Sequence, residues 1–205
     1  MDPNQPQTPP STLPIYFWKP NEPYGFLSQW YISPLTDPST GIKFNCCEQY
    51  MMYHKAVTFN DEKSKQIILD ELDPREHKKL GRMIRGFSKH NWDEVKFDVV
   101  VRANVLKFTQ AKALEGDELV GDISRREGGQ DEEGGPPSLR ALLLATEERE
   151  LVEASSRDRV WGIGFTALQA EREPRYRWGK NLLGKALMEV REKLREEEQI
   201  EDLVG

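Results

Sequence analysis

The sequence predicts a single α+β domain that is rich in helices and contains a small β-sheet. Its 205 residues suffice for one sizeable hydrophobic core but are few for two. Several segments repeat apolar residues with helical spacing, whereas the strand-like runs, at 15–18, 42–44 and 150–154, are short. The predicted helices are 44–56, 63–72, 73–84, 92–110, 139–145 and 182–198.

Both ends of the chain and one internal segment are expected to lie outside the packed domain. Residues 1–14 are rich in Pro, Gln, Ser and Thr and lack the pattern of a signal peptide. Residues 113–138 combine acidic residues and glycines with little hydrophobicity, which is typical of a disordered surface insertion. We therefore expect a domain at 15–198, interrupted by this insertion and followed by a tail at 199–205. No apolar run approaches the roughly 18 residues that span a bilayer, so we expect an intracellular protein of the cytoplasm or nucleus.

Charge and cysteine content exclude some classes of function. A net charge of −6 argues against a protein that coats nucleic acid, although a local basic pocket for a phosphate is compatible with it. Cys46 and Cys47 are adjacent, so neither a disulfide between them nor a closed zinc site is expected. We interpret them as reduced, buried packing residues, and expect neither a metal nor a cofactor.

The helix at 44–56 carries the most unusual side chains. Glu48, Met51, Met52 and Lys55 fall on one of its faces, with the carboxylate and the amine roughly 10 Å apart along the axis. A face that only joins a core should be apolar, so this one is more typical of a pocket wall. The alternative is that Glu48 closes a capping box with Asn45 at the helix start.

Basic and aromatic residues suggest where a substrate could bind. Arg82 and Arg85 belong to a basic helix, and Arg102 to the long apolar one; any of them could contact a phosphate. The alternative for the basic helix is an ordinary solvated face. Trp92, at the start of the long helix, is a packing residue unless a pocket lies at that helix end.

Four blocks occur in an order that resembles the NADAR family, also called YbiA-like. They are 25–30 (GFLSQW), 48–55 (EQYMMYHK), 158–164 (DRVWGIG) and 179–184 (GKNLLG). The resemblance covers about residues 15–195 apart from the insertion, and it implies the compact α+β fold of that family. It also implies N-glycosidase chemistry, in which the bond between a ribose and a base or amine is hydrolysed. Members act on ribosylamino-pyrimidine intermediates of riboflavin synthesis, or remove ADP-ribose from guanine in nucleic acid.

The resemblance also implies roles for individual residues. The family's motif glutamate and lysine correspond to Glu48 and Lys55, and the Asp-x-x-Trp-Gly motif to Asp158 and Trp161. The asparagine of Gly-x-Asn corresponds to Asn181. The chain departs from the family at 28–30, where Ser28 is followed by Gln-Trp instead of Asn-Phe, and at 47, where Cys replaces Ser or Thr. From the resemblance we expect Ser28, Trp161 and Asn181 to bind substrate. Trp92, Arg82, Arg85 and Arg102 are further candidates on the grounds given above.

The chemistry of the reaction suits these residue types. Cleavage of an N-glycosidic bond develops positive charge at ribose C1, which a carboxylate such as Glu48 or Asp158 stabilises. A desolvated Lys55 could attack C1 as a neutral amine and form a Schiff base, with Glu48 moving protons. For Asp158, the alternative is a purely structural role in its loop.

We therefore expect a metal-independent N-glycosidase whose substrate is a phosphorylated ribosylamine or an ADP-ribosylated nucleobase, with nucleic acid only as a modified substrate. The alternative is a non-catalytic module that binds ADP-ribose or a nucleotide. A carboxylate and an amine on one buried face favour the enzyme, because a binding module needs neither.

Overall fold

The computed structural model describes residues 13–114 and 136–204. Two small sheets lie within these ranges. Strand β1 (Ile15–Phe17) pairs in parallel with β4 (Leu151–Glu153), and β2 (Leu35–Thr36) pairs antiparallel with β3 (Lys43–Phe44). Because Phe17 lies opposite Glu153, the two parallel strands end together.

Helices make up most of the described structure. They are α1 (Cys47–Thr58), α2 (Glu62–Asp70), α3 (Pro74–Arg82), α4 (Lys89–Gln110), α5 (Leu139–Leu144), α6 (Ala167–Ala170) and α7 (Leu182–Val204). Short 3-10 turns lie at Gly25–Leu27 and Arg175–Arg177. The sequence did not predict α6, whose four residues begin with a capping box between Thr166 and Gln169. Helix α7 continues to Val204, beyond the predicted end at 198.

The start of α1 differs from the sequence prediction. The helix begins at Cys47, with Cys46 as its N-cap, so Glu48 is the second helical residue. The side chain that reaches back is that of Gln49, whose Oε1 accepts a 2.7 Å hydrogen bond from the backbone N–H of Asn45. The capping alternative for Glu48 is therefore wrong, and its carboxyl group is available for other contacts.

Helix α1 lies at the centre of the packing. It contacts α2, α3 and α4, and α4 also packs against α7, which in turn contacts β4. Met51 and Met52 of α1 are buried in the main hydrophobic core. Within residues 13–114 and 136–204, no helix is long and apolar enough to cross a membrane.

The expected acidic insertion lies mostly outside the described residues, as do 1–12 and 205. Its two ends are described and are held together. The N–H of Ala113 donates to the carbonyl oxygen of Pro137 at 2.9 Å, and that of Leu139 to Ala111 at 3.0 Å. The chain therefore leaves and re-enters the domain at adjacent points, as expected for an insertion in a loop.

Candidate active site

Glu48 occupies a buried position at the start of α1. Its backbone N–H donates to the carbonyl oxygen of Gln29 at 3.0 Å, and its carboxyl group hydrogen-bonds the side chain of Trp30. Only 7% of the residue is exposed. This burial raises the pKa of the Glu48 carboxyl to about 7, against the opposing effects of Lys78 and of the Trp30 hydrogen bond. The group can therefore exchange a proton near neutral pH.

The loop that holds Glu48 is anchored on α4. Lys107 is fully buried, and its Nζ donates to the carbonyl oxygen of Ser28 at 3.0 Å. Asn104 accepts a 3.1 Å hydrogen bond from the side chain of Gln29. The Oγ of Ser28, predicted to bind substrate, accepts the N–H of Trp30 at 3.3 Å. Ser28 therefore helps to fix the loop that presents Trp30 to Glu48.

Lys55 lies two turns further along the same face of α1. Its Nζ donates a 2.7 Å hydrogen bond to the carbonyl oxygen of Gly81. The same nitrogen lies 4.2 Å from the ring centroid of Phe87 and 5.9 Å from that of Trp92. Burial lowers the pKa of the Lys55 amine, and the charge of Glu48 acts in the opposite direction. Trp92, in the first turn of α4, is buried in the main hydrophobic core and lies near the amine.

A third carboxyl group, missed in the sequence, belongs to this site. Glu153 is the last residue of β4, and the charges of Glu48 and Asp158 both act on it. Burial raises the pKa of the Glu153 carboxyl to about 8. The negative charge of Asp158 adds to this rise, and the positive charge of Lys78 opposes it. The signal in the sequence was an acidic residue at the end of a buried strand, a few residues before the Asp-x-x-Trp-Gly block.

Asp158 orders its own loop. Its Oδ1 accepts the backbone N–H groups of Val160 and Trp161, each at 2.8 Å. Its negative charge also raises the pKa values of the Glu48 and Glu153 carboxyl groups, so Asp158 lies close to both. The half-buried Trp161 packs against the main core. Asp158 therefore orders its loop and also lies beside the other carboxyl groups.

Asn181 does not have the arrangement expected of a substrate-binding side chain. Its Oδ1 accepts the N–H of Glu153 at 3.0 Å, and its Nδ2 donates to the carbonyl oxygen of Leu151 at 2.8 Å. The side chain is buried and acts as a neighbouring strand would on the edge of β4. We therefore correct the prediction for Asn181: this residue supports β4.

The three predicted phosphate contacts have different surroundings. The positive charge of Arg82 adds to the effect of burial in lowering the pKa of the Lys55 amine, which places this exposed arginine near the site. Arg85 instead bonds the carboxylate of Asp61 through its Nη2 at 2.8 Å. Its guanidinium is thus already paired.

The positive charge of Arg102 opposes the rise that burial causes in the pKa of Tyr50 and adds to the fall that burial causes in the pKa of His54. Both residues lie on the face of α1 opposite Glu48 and Lys55. Arg102 therefore lies on the other side of α1 from Glu48 and Lys55. Lys78, another member of the basic segment, lies near the carboxyl groups of Glu48 and Glu153, and its positive charge opposes the rise that burial causes in the pKa of each.

The two cysteines are buried, as predicted, and no disulfide joins them. Burial raises the pKa of the Cys46 thiol to about 12 and that of Cys47 to about 11. Neither residue therefore supplies a thiolate at neutral pH.

A separate cleft of about 360 Å³ lies beside β1 and is lined by residues that include Tyr16, Trp18 and Leu168. It contains none of the predicted site residues.

Comparison with known proteins supports the family resemblance of the four sequence blocks. The chain matches the NADAR domain over residues 16–195. It belongs to the NADAR family. An N-glycosidase of Acanthamoeba polyphaga mimivirus is 38% identical over 169 residues, which span 80% of this chain and 85% of that protein. A riboflavin biosynthesis protein of Vibrio vulnificus is 28% identical, over 89% of this chain but only 39% of its own length.

A solved structure of the NADAR relative YbiA from Escherichia coli shares the fold. Its NMR structure matches with a TM-score of 0.63 at 28% identity, covering 92% of this chain and 88% of that chain. The predicted α+β fold is therefore confirmed. The expectation of a hydrolase acting on N-glycosyl bonds is confirmed at the level of the NADAR family, since several of its relatives are named N-glycosidases.

Proposed function

We propose that this NADAR protein is an N-glycosidase that hydrolyses the bond between ribose C1 and a nitrogen, in a substrate that also carries a phosphate. The substrate is a phosphorylated ribosylamine of the riboflavin-pathway type or an ADP-ribosyl group on guanine. The observation that carries the proposal is the desolvated pair on α1, with the amine of Lys55 and the carboxyl of Glu48 close enough to change each other's pKa.

Lys55 acts as the nucleophile in this proposal. A lysine attacks carbon only as the neutral amine, and burial beside Phe87 and Trp92 lowers the pKa of its ammonium form. The free electron pair of Nζ bonds to C1 while the bond from C1 to the leaving nitrogen breaks. The hydrogen bond to Gly81 directs Nζ before the attack.

Glu48 moves the proton that this attack releases. When Nζ bonds to C1 it carries two protons and a positive charge, and the Glu48 carboxylate takes one of them. Glu48 passes this proton to the ring oxygen as the ribose ring opens, which leaves a protonated Schiff base. Its pKa of about 7 allows both transfers at neutral pH, because proton exchange is fastest for a group titrating near the working pH.

Lys78 and Arg82 hold the phosphate. They are one helical turn apart on α3, and both are exposed while acting on groups of the site. Neither forms an ion pair with a residue in the described ranges, so both can bind an anion. This assignment retains Arg82 from the sequence prediction and adds Lys78.

The test is a substrate panel of ribosylamino-pyrimidine phosphate, ADP-ribosylated guanosine and NAD, with chromatographic detection of ribose phosphate or ADP-ribose. We expect release from at least one of the first two, and none from a Lys55→Ala variant. Tight binding of ADP-ribose without release from any of the three would instead favour the binding module.

A further inference from the structure

The backbone of Glu153 is fixed from two sides by motifs that are far apart in the sequence. Its N–H donates to Oδ1 of Asn181 at 3.0 Å, and its carbonyl oxygen accepts the N–H of Ile163 at 3.0 Å. Gly162 approaches so closely that a Cβ there would lie 2.7 Å from the Glu153 carbonyl oxygen. The Asp-x-x-Trp-Gly loop and the Gly-x-Asn turn therefore both hold the end of β4 in place.

Gly184 contributes to the same frame from α7. A Cβ at this position would lie 2.0 Å from the carbonyl oxygen of Leu151, so α7 can pack on β4 only because residue 184 is glycine. Two of the four blocks that define the family resemblance thus converge on one strand of three residues. That strand ends in a single ionisable side chain, Glu153.

The carboxyl group of Glu153 lacks the contacts of a structural residue. Its Oε2 is buried and has no hydrogen-bond partner among residues 13–114 and 136–204. Buried polar atoms are nearly always paired, and a buried unpaired carboxylate is costly, so the group is stabilised in its neutral form. The charged groups that act on it are Asp158, Lys78 and Glu48, in that order. Two of these three groups, Asp158 and Glu48, are negative and favour the protonated form of Glu153.

Glu48 and Glu153 are neighbours with different surroundings. Glu48 has the hydrogen bond from Trp30 and the charge of Lys55 in addition to that of Lys78, and all three favour its ionised form. Among the groups in the described part of the chain that act on Glu153, only Lys78 is positive. Glu48 therefore ionises first and Glu153 keeps its proton. Neighbouring carboxyl groups that differ in this way divide into a base and an acid.

We propose that Glu153 is the general acid of this site and donates its proton to the nitrogen that leaves C1, an assignment that rests on the proposed function. As Lys55 Nζ bonds to C1, the C1–N bond breaks and its electron pair takes the Glu153 proton. Water then adds to C1 of the Schiff base, and the Glu153 carboxylate accepts the proton released as Lys55 is expelled. The acid is restored, and the net reaction consumes one water.

Asn181 is a positioning residue in this account. It touches β4 and not the reacting atoms, but its two hydrogen bonds determine where the Glu153 side chain begins.

The test compares Glu153→Gln with a matched control, Glu150→Gln. Glu150 lies three residues earlier, beside the same strand, and its carboxylate bonds the exposed Arg175 at 2.6 Å. kcat/KM is measured from pH 5 to 10 on whichever panel substrate the wild-type protein cleaves, with melting curves as a check on folding. We expect Glu153→Gln to lose about 10²–10⁴-fold, as is usual for a general acid, and Glu150→Gln to lose nothing.

The pH profile separates an acid from a structural carboxyl. The wild-type rate should fall as pH rises through the Glu153 pKa of about 8, because the acid loses its proton. The rate of Glu153→Gln should not fall in this way at alkaline pH. Glu153→Asp, which keeps a carboxyl group, should show part of the alkaline fall. If Glu153→Gln keeps the wild-type rate and alkaline fall, the assignment is wrong while the proposed function stands. If the wild-type protein cleaves nothing in the panel, both are wrong.

Discussion

Lys55 donates a hydrogen bond from Nζ to the carbonyl oxygen of Gly81 at 2.7 Å, which ties the amine on α1 to the last turn of α3. A Cβ at Gly81 would lie 1.9 Å from Sδ of Met52, so a larger residue there would displace the Met52 side chain. α3 therefore supplies both the anchor of the proposed nucleophile and, through Lys78 and Arg82, the cations beside it.

Replacing Lys55 by arginine should abolish turnover while preserving charge. A guanidinium keeps its proton at all accessible pH values and cannot attack C1. We expect a loss of at least about 10³-fold in kcat for Lys55→Arg, with substrate affinity by calorimetry changed less than about threefold. Lys65→Arg, at the exposed pair with Glu62, is the control and should retain full activity. Comparable kcat values for the two variants would contradict the role of Lys55.

Glu48→Gln should stabilise the fold at alkaline pH. The native pKa of about 7 lies above the ordinary value of 4.5, so the native state binds the proton more tightly than the unfolded state. The free energy of unfolding therefore falls as pH rises from about 4.5 to 7, and the penalty is fully present above pH 7. Removing it should raise Tm at pH 8 by roughly 4–8 °C, corresponding to about 2 kcal/mol, and leave Tm at pH 4 nearly unchanged.

Differential scanning calorimetry of wild-type and Glu48→Gln proteins at both pH values checks this. An equal shift at pH 4 and pH 8 would show that the effect is packing rather than proton binding. The same variant should lose activity, as expected where a site residue costs stability.

Asn181→Ala should act mainly on stability. The change leaves the N–H of Glu153 and the carbonyl oxygen of Leu151 without their partners, and each unpaired buried group costs about 1–3 kcal/mol. We expect Tm to fall by roughly 5–10 °C and kcat to fall more than KM rises. Asn91→Ala, at an exposed position of α4, is the control. An unchanged Tm with a raised KM would return Asn181 to substrate binding.

Substitutions of the basic residues in α3 and directly after it should differ in their effects, because the surroundings of these residues differ. Lys78→Ala and Arg82→Ala should each raise KM about 10–100-fold for the phosphorylated substrate, and much less for its dephosphorylated form. Arg85→Ala should lower Tm, because it breaks the pair with Asp61, and leave KM unchanged. Steady-state kinetics on the matched substrate pair measures this. A raised KM for Arg85→Ala alone would reverse the assignment.

The sequence was most informative where one segment determines its own structure. α3 begins at Asp73 and Pro74, as predicted from the cap and the proline, and the Glu48–Lys55 face follows directly from helical spacing. The acid–base partners of that face were harder to predict. Glu153 joins Glu48 only because β4 pairs with β1 and is held by Asn181, and a single sequence without an alignment does not reveal such long-range pairing.

The surroundings of the three arginines and of Asn181 were hard to predict for the same reason. The sequence does not distinguish Arg82, Arg85 and Arg102 from one another. Only the packed structure shows that Arg85 is paired with Asp61 and that Arg102 lies near His54, on the opposite face of α1 from Lys55. Asn181 occurs in a family motif, and its position suggested ligand contact. In the structure the motif is retained for the support of β4.

Borohydride trapping tests the role of Lys55 most directly. The protein is incubated with the cleaved panel substrate and sodium borohydride, digested, and analysed by mass spectrometry for a ribose-phosphate or ADP-ribose adduct. We expect a reduced adduct on Lys55 that requires substrate and is absent in Lys55→Ala. Product release without any adduct on Lys55, together with full turnover by Lys55→Ala, would contradict it.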